Sequence, residues 1–163
     1  EEIASHRKGE PPAPTQGVTN ELLKLIPLFR EGRGRLLIVA TNFIRALDAA
    51  FLRHGRFDYV IPIGLPDEDA RRSIWTRYIP PQSLEGVDLD RLVERTSGFS
   101  PADIEYAARK GSQRALEAAV YQDGNQTGPS TDDYDWAIGY TRMTVSKDVA
   151  EDFLVDIDEL ARL

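Results

Sequence analysis

An unbroken apolar run, Leu36-Leu37-Ile38-Val39-Ala40, restricts the possible folds more than any other feature of the sequence. Apolar and polar residues do not alternate in it, which predicts a strand buried on both faces of a parallel sheet. Ligands bind such sheets at the carboxyl ends of the strands. Thr41 and Asn42 follow the run directly. The sequence therefore predicts that Asn42 lies where a ligand site would form.

Two arginines follow in the next segment, where His54 and Gly55 separate Arg53 from Arg56. We expect a short helix to present both guanidinium groups, with Asp48 capping or bracing it and with Phe57 and Asp58 fixing the loop. Taken singly, a strand-end asparagine is usually a turn former, and an Arg-x-x-Arg pair is usually a surface feature. A functional interpretation therefore depends on finding these residues in combination.

Helical signals dominate the rest of the chain. After a second short predicted strand at 59–63, Gly64-Leu65-Pro66 precedes a segment with acidic residues in its first turn and arginines later, the order that a helix dipole favours. Ser100 is a predicted N-cap, with Pro101 as the first helical residue and Asp103 as its acidic partner. Residues 122–130 form a predicted loop. Two further helices are expected at about 131–141 and 147–162, the second capped by Ser146.

The N-terminal third contains a loop and a helix before the apolar run. Residues 7–17 are rich in proline and glycine and predict a loop. A helix is expected from about Val18, with its apolar residues on one face and a disturbance at Pro27. The residues of that face are Val18, Leu22, Leu25, Ile26 and Phe29.

Composition excludes several classes of site and partner. The chain has no cysteine and two histidines, so it cannot form a disulfide or a Cys-based metal site, and we expect no metal centre. A net charge of −7 argues against general affinity for nucleic acid. No apolar run approaches the ~20 residues of a membrane span. The N-terminus resembles neither a signal nor a transit peptide, and we expect a cytoplasmic location. Residues 147–163 carry six acidic and two basic residues, interpreted as a solvated helix face.

The spacing from Ala40 to Asp58 resembles the second region of homology of the AAA family of ATPases. In that family, the strand-end asparagine is a sensor that helps to position the attacking water, and two arginines reach the γ-phosphate held by the neighbouring subunit. The resemblance implies that Asn42 is the sensor and that Arg53 and Arg56 are the arginine fingers. The residue types suit the chemistry, because phosphoryl transfer depends mainly on charge stabilisation.

A second motif, Gly98-Phe99-Ser100-Pro101-Ala102-Asp103-Ile104, resembles the Gly-Phe-Ser-Gly-Ala-Asp-Leu signature of the AAA lid. The resemblance implies that Gly98, Pro101 and Ala102 approach the adenine and ribose. Pro101 replaces a glycine and so lacks a backbone N–H. Ile74 and Tyr78 stand one turn apart where the family commonly offers an isoleucine and a histidine to the base. Packing of both into the lid core is an equally open interpretation.

Other family motifs are missing from the chain. It contains no G-x-x-x-x-G-K-[ST] loop for the β- and γ-phosphates, and no Asp-Glu pair follows an apolar strand. Residues 1–7 resemble the stretch just beyond that pair, and residues 7–17 align with the second pore loop, here without an aromatic residue. We therefore expect a chain that begins just after the catalytic carboxylates.

The expected fold is an α/β remnant of a P-loop NTPase large subdomain followed by an all-α helical lid, predominantly helical overall. The expected divisions are the large-subdomain part at 1–63, the lid at 64–145 and an acidic C-terminal helix at 146–163. The resemblance implies ATP and Mg²⁺ as cofactors of the parent protein, with none bound tightly by this chain. It also implies self-association, in a parent ring of six subunits, and a protein substrate of unknown identity, without nucleic-acid or membrane partners.

Two functional hypotheses stay open at this point. In the first, the chain is the C-terminal part of an ATPase module and is inactive alone. In the second, it is a non-enzymatic scaffold or interaction module derived from a degenerate AAA domain.

Overall fold

The computed structural model describes residues 14–121 and 128–162, with the side chains of the first helix described from Gly17 onward. These residues form six α-helices: α1 (Pro14–Glu31), α2 (Glu68–Tyr78), α3 (Leu89–Arg95), α4 (Pro101–Tyr121), α5 (Thr131–Tyr140) and α6 (Lys147–Leu160). Short 3₁₀ helices lie at Ile44–Ala46 and Pro81–Gly86. The expectation of a predominantly helical chain is confirmed. None of these helices is both long and apolar enough to cross a bilayer.

The chain divides into two compact units. Unit 1 contains the residues up to Pro62 together with the segment that starts at Val155, and unit 2 contains Ile63–Leu154. Helix α6 therefore contributes its first residues to unit 2 and its last residues to unit 1.

Local side-chain chemistry sets the starts of the helices in unit 2. Asp67 Oδ1 accepts a hydrogen bond from Ala70 N at 2.8 Å at the start of α2. Ser130 and Asp133 form a reciprocal capping box at the start of α5. Ser146 Oγ accepts from Val149 N at 3.3 Å, which confirms the predicted cap of α6. Each cap satisfies a backbone N–H that has no partner within the helix.

The core of unit 2 is built around Trp75. Its side chain is fully buried, and its ring meets the Tyr134 ring edge-on at 5.5 Å between centroids. The indole Nε1 donates to Thr96 Oγ1 at 3.2 Å, so the polar atom of this buried ring has a partner. Apolar residues of α3, α4 and α5 and of the segments between helices complete the cluster: Ile79, Val87, Leu92, Val93, Phe99, Ile104, Ala107, Ala108, Ala137 and Ile138.

Gly111 lets α4 and α5 approach closely. A Cβ at this buried position would lie 2.5 Å from Tyr134 Cδ1 and 3.1 Å from Tyr134 Cα. Because Cα is a backbone atom, rotation of the Tyr134 side chain could relieve the contact with Cδ1 but not the tight contact with Cα. The packing interpretation of Gly111 is thus supported by geometry.

Unit 1 has a smaller core and differs from the sequence predictions. Leu23 and Ile26 of α1 are buried together with Phe51, and Ala50 and Phe57 pack against them. Of the predicted apolar face of α1, Ile26 is buried, whereas the other four residues are at least 37% exposed. The helix also begins at Pro14, inside the predicted loop 7–17. The earlier part of that loop, residues 7–13, and residues 122–127 of the second predicted loop lie outside the described residues.

The predicted buried strand at 36–40 is not formed within the described residues. The backbone there has no assigned strand, and Leu36 and Ile38 are each 80% exposed. A single strand can neither pair its backbone N–H and C=O groups nor bury its two faces without neighbouring strands. The described residues contain no sheet in which it could pair. The second predicted strand is represented by one antiparallel bridge, in which Val60 N donates to Arg162 O at 2.9 Å and Arg162 N donates to Val60 O at 3.1 Å.

We predict that Gly111→Ala destabilises the protein by about 1–3 kcal/mol, because the added methyl group overpacks the contact with Tyr134. The matched control is Gly139→Ala, since a Cβ at Gly139 in α5 would meet no atom within 4 Å outside its own turn of helix. That change should stabilise by roughly 0.5–1 kcal/mol. Urea unfolding of the three proteins measures both effects, and equal stabilities for both variants would contradict the packing assignment.

Candidate functional site

Asn42 lies in a turn that a side chain closes. Thr41 Oγ1 accepts a hydrogen bond from Phe43 N at 3.0 Å, and the 3₁₀ helix Ile44–Ala46 follows at once. Ala46 N donates to Phe43 O at 3.1 Å and continues the turn. Asn42 itself is exposed. The local hydrogen bonds therefore hold the backbone on either side of this residue.

The segment that carries the arginines is a succession of turns rather than the predicted short helix. Asp48 Oδ1 accepts from Ala50 N at 2.8 Å, which is the expected bracing role of Asp48. The Phe57 ring packs 6.3 Å from the buried Phe51 ring. Asp58 forms an ion pair with Arg30 at 2.7 Å. Phe57 and Asp58 thus fix the loop, as the sequence predicted.

The structure brings Arg53 and Arg56 into one turn, where Arg56 N donates to Arg53 O at 3.3 Å. Their side chains have different environments. Arg53 is exposed, whereas Arg56 is half-buried and its Nη1 donates to the Ala50 carbonyl oxygen. The Arg53 guanidinium is consequently presented to solvent, while that of Arg56 contacts its own loop.

The predicted lid residues of α2 pack against the core of unit 2. Ile74 and Tyr78 are half-buried and contact the cluster around Trp75. Tyr78 Oη donates to Glu105 Oε2 at 2.8 Å. This hydrogen bond, with a smaller contribution from desolvation, raises the pKa of the Tyr78 hydroxyl. No local signal in the sequence identifies Glu105 as the partner of Tyr78, because 27 positions separate the two residues.

The other predicted lid residues gather at the start of α4. Gly98 has φ of +83°, in the left-handed region that favours glycine. Ser100 Oγ accepts from Asp103 N at 3.2 Å and Asp103 Oδ2 accepts from Ser100 N at 2.9 Å, so the predicted cap is confirmed. Pro101 and Ala102 are exposed in the first turn of α4. The missing N–H of Pro101 is tolerated there, because that position has no intrahelical acceptor.

Asp103 joins the start of α4 to the segment after α5. Its Oδ2 also accepts from Thr144 Oγ1 at 3.1 Å and from Thr144 N at 3.3 Å. Burial by itself would raise the pKa of this carboxyl group, but the hydrogen bonds from Ser100 and Thr144 together outweigh burial and lower the pKa. The carboxylate is thus a structural acceptor whose charged form the fold stabilises.

The predicted site residues fall into two groups. Asn42, Arg53 and Arg56 belong to unit 1, and Ile74, Tyr78, Gly98, Pro101 and Ala102 belong to unit 2. Across residues 14–121 and 128–162, no cluster of three or more His, Asp or Glu side chains is arranged to hold a metal ion.

Residues 1–65 match the profile of the family described as "ATPase family associated with various cellular activities (AAA)". The chain belongs to the AAA family. It is 38% identical over 108 residues to the ATP-dependent zinc metalloprotease YME1L of Drosophila melanogaster, covering 66% of this chain and 14% of that protein. It is 40% identical over 94 residues to the Cell division cycle protein 48 homolog of Archaeoglobus fulgidus, and this match covers 55% of this chain and 13% of that protein.

A longer match covers most of the chain. The chain is 30% identical over 145 residues to the ATPase family gene 2 protein homolog B of Bos taurus, covering 88% of this chain and 18% of that protein. This AAA chain therefore spans less than a fifth of the length of each of these three relatives. The individual roles of the site residues stay predictions.

The lowered pKa of Asp103 predicts a loss of stability in acid. A carboxyl group whose pKa falls on folding stabilises the protein above its unfolded pKa of about 4, and this contribution disappears as the pH falls through the folded value. Thermal unfolding between pH 7 and pH 2 should show this loss in the wild type, and Asp103→Asn should be less stable at pH 7 and vary less with pH. Glu94→Gln, at an exposed position of α3, is the control. An identical pH profile for Asp103→Asn and the wild type would contradict the assignment.

Proposed function

We propose that the protein containing this chain binds and hydrolyses ATP, with Mg²⁺, in a ring of six subunits that remodels protein substrates. The observation that carries the proposal is the arginine turn. It presents the exposed Arg53 guanidinium beside Arg56, on a loop anchored by the packing of Phe51 and Phe57 and by the ion pair of Asp58 with Arg30. A cation on an anchored loop suits stabilisation of charge on a phosphoryl group in a neighbouring subunit.

The residues of unit 1 have complementary roles in this proposal. Asn42, in its hydrogen-bonded turn, orients the attacking water through its side-chain amide. Arg53 and Arg56 act in trans on the γ-phosphate. Since Arg56 donates to the Ala50 carbonyl within its own loop, it must leave this contact in order to reach the phosphate, whereas exposed Arg53 needs no such rearrangement.

The residues of unit 2 form the proposed lid surface for the nucleotide base and ribose. Ile74 and Tyr78 provide the apolar side, with Tyr78 oriented by its hydrogen bond to Glu105. Gly98, Pro101 and Ala102 provide a close backbone approach at the start of α4.

We also propose the division of the chain at 1–63, 64–145 and 146–163, and a cytoplasmic location for the protein.

The alternative is a non-enzymatic scaffold or interaction module derived from a degenerate AAA domain. The sequence immediately upstream in the parent gene separates the two functions. A phosphate-binding loop about 50–60 residues before Glu1, the spacing usual in the family, supports the enzyme. If no such loop lies there, the enzyme proposal is wrong and the scaffold function is supported.

In the parent ring, Arg53→Ala should lower kcat by roughly 10³-fold or more while leaving ATP affinity nearly unchanged, since an arginine finger stabilises charge in the transition state. A mixed-subunit assay tests action in trans. Arg53→Ala subunits mixed with subunits that cannot bind ATP should recover part of the activity, because some interfaces then pair an intact arginine with an intact pocket. Arg33→Gln removes another exposed arginine of unit 1 and should be neutral. Loss of ATP binding in Arg53→Ala would instead place this arginine in its own subunit's site.

The chain by itself should not hydrolyse ATP and should bind it at best very weakly, because it lacks a phosphate-binding loop. Phosphate release and ATP titration of the purified chain measure both properties. Turnover that co-purifies with the chain and is abolished by Asn42→Ala would contradict this prediction.

A further inference from the structure

The C-terminal end of α6 contacts the segment of unit 1 that holds Asn42, Arg53 and Arg56. Arg45 Nε donates to Asp156 Oδ1, and Arg45 Nη2 donates to Glu159 Oε2 at 2.9 Å. A second contact lies just beyond α6, where Arg162 pairs with Val60 through two backbone hydrogen bonds of 2.9 and 3.1 Å. These contacts all lie within unit 1.

The two contacts lie on either side of Arg53 and Arg56 in the sequence, and the first of them lies close to Asn42. Arg45 comes three positions after Asn42, in the 3₁₀ helix that continues the Asn42 turn, and Val60 comes four positions after Arg56. Between them, the chain is held by short-range turn bonds and by the packing of Phe51 and Phe57. The segment from Arg45 to Val60, which carries both arginines, is therefore held at each end by a contact with the C-terminal segment, and Asn42 lies three positions before it.

The geometry of the Arg45 tether suits a role in orienting the segment that carries Arg45 more than a role in the free energy of folding. Arg45 and Glu159 side chains are 56% and 54% exposed, and exposed ion pairs contribute little to folding. One guanidinium that binds two carboxylates is, however, restrained in direction as well as in distance. Asp156 and Glu159 are three positions apart on α6, so they lie on one helix face.

We propose that Arg45 is a positioning residue, and that Asp156, Glu159 and the Val60–Arg162 bridge make the end of α6 a brace for the segment from Asn42 to Arg56. This assignment rests on the proposed function, because it concerns the placement of the proposed sensor and arginine fingers. It gives the acidic end of α6 a role beyond that of a solvated helix face. A merely structural tether would change stability without changing the turnover of the folded protein.

Amide hydrogen exchange on the chain itself tests the brace. Arg45→Gln and Asp156→Asn should each speed exchange several-fold at the amides of Ala46, Leu47 and Phe51, which donate turn hydrogen bonds. Exchange within α4 should not change. The double variant should resemble Arg45→Gln alone, because that change already removes the contact with Asp156. Arg33→Gln is the matched control for loss of an exposed guanidinium in unit 1. Unchanged exchange at the three amides in Arg45→Gln overturns the brace.

Steady-state ATPase measurements on the full-length parent test the positioning role. Arg45→Gln should lower kcat by roughly 10-fold with KM for ATP within about two-fold, less than the 10²-fold that a displacement of ~1 Å can cost. The charge-swapped pair Arg45→Glu with Asp156→Arg should recover part of this loss. Asn42→Ala is measured in parallel. Normal kcat in Arg45→Gln beside impaired Asn42→Ala overturns the brace alone, whereas normal kcat in Asn42→Ala overturns the proposed function and the positioning role with it.

Discussion

The edge-on contact between Trp75 and Tyr134 is the interaction on which unit 2 depends. It joins α2 to α5, and Gly111 of α4 also lies against Tyr134. Because both rings are fully buried, they exclude water from the point where three helices meet. The hydrogen bond from the Trp75 indole to Thr96 extends this contact to the end of α3. The proposed nucleotide-facing residues Ile74 and Tyr78 flank Trp75 on α2, so their placement follows from how this ring is held.

Unit 1 depends more on polar contacts and less on a buried apolar core than unit 2 does. Among its described residues, the core contains three buried apolar side chains, Leu23, Ile26 and Phe51. Polar contacts define the rest: the Asp48 turn, the Arg30–Asp58 ion pair and the Arg45 tether to α6. Exposed ion pairs are screened by salt and add little stability. Unit 1 is thus expected to open locally at a lower free energy than unit 2, which suits the proposed role of its site residues.

Features with a local cause could be predicted from the sequence. The caps at Ser100 and Ser146 depend on side chains within three residues, and both are present. The roles of Asp48, Phe57 and Asp58 in fixing the loop could also be predicted, because these residues lie close to the arginines in the sequence. Features with a distant cause could not be predicted. The apolar run at 36–40 has the pattern of a buried strand, yet burial depends on neighbouring strands, and the described residues provide none. Similarly, the sequence does not reveal the Arg45 tether, since the carboxylates that Arg45 contacts lie 111 and 114 positions away.

The contrast between Arg53 and Arg56 restricts how the arginine turn can act. Arg56 donates to the Ala50 carbonyl, so its use on an external phosphate exchanges a hydrogen bond to a neutral acceptor for one to an anion, which is the stronger kind. Arg53 is exposed and requires no such exchange. In the proposed role, both arginines need the loop to be correctly placed, and Arg56 Nη1 also has to exchange its contact with Ala50 for one with the phosphate. Since loop placement is common to both, the contacts that fix the loop limit the action of either arginine.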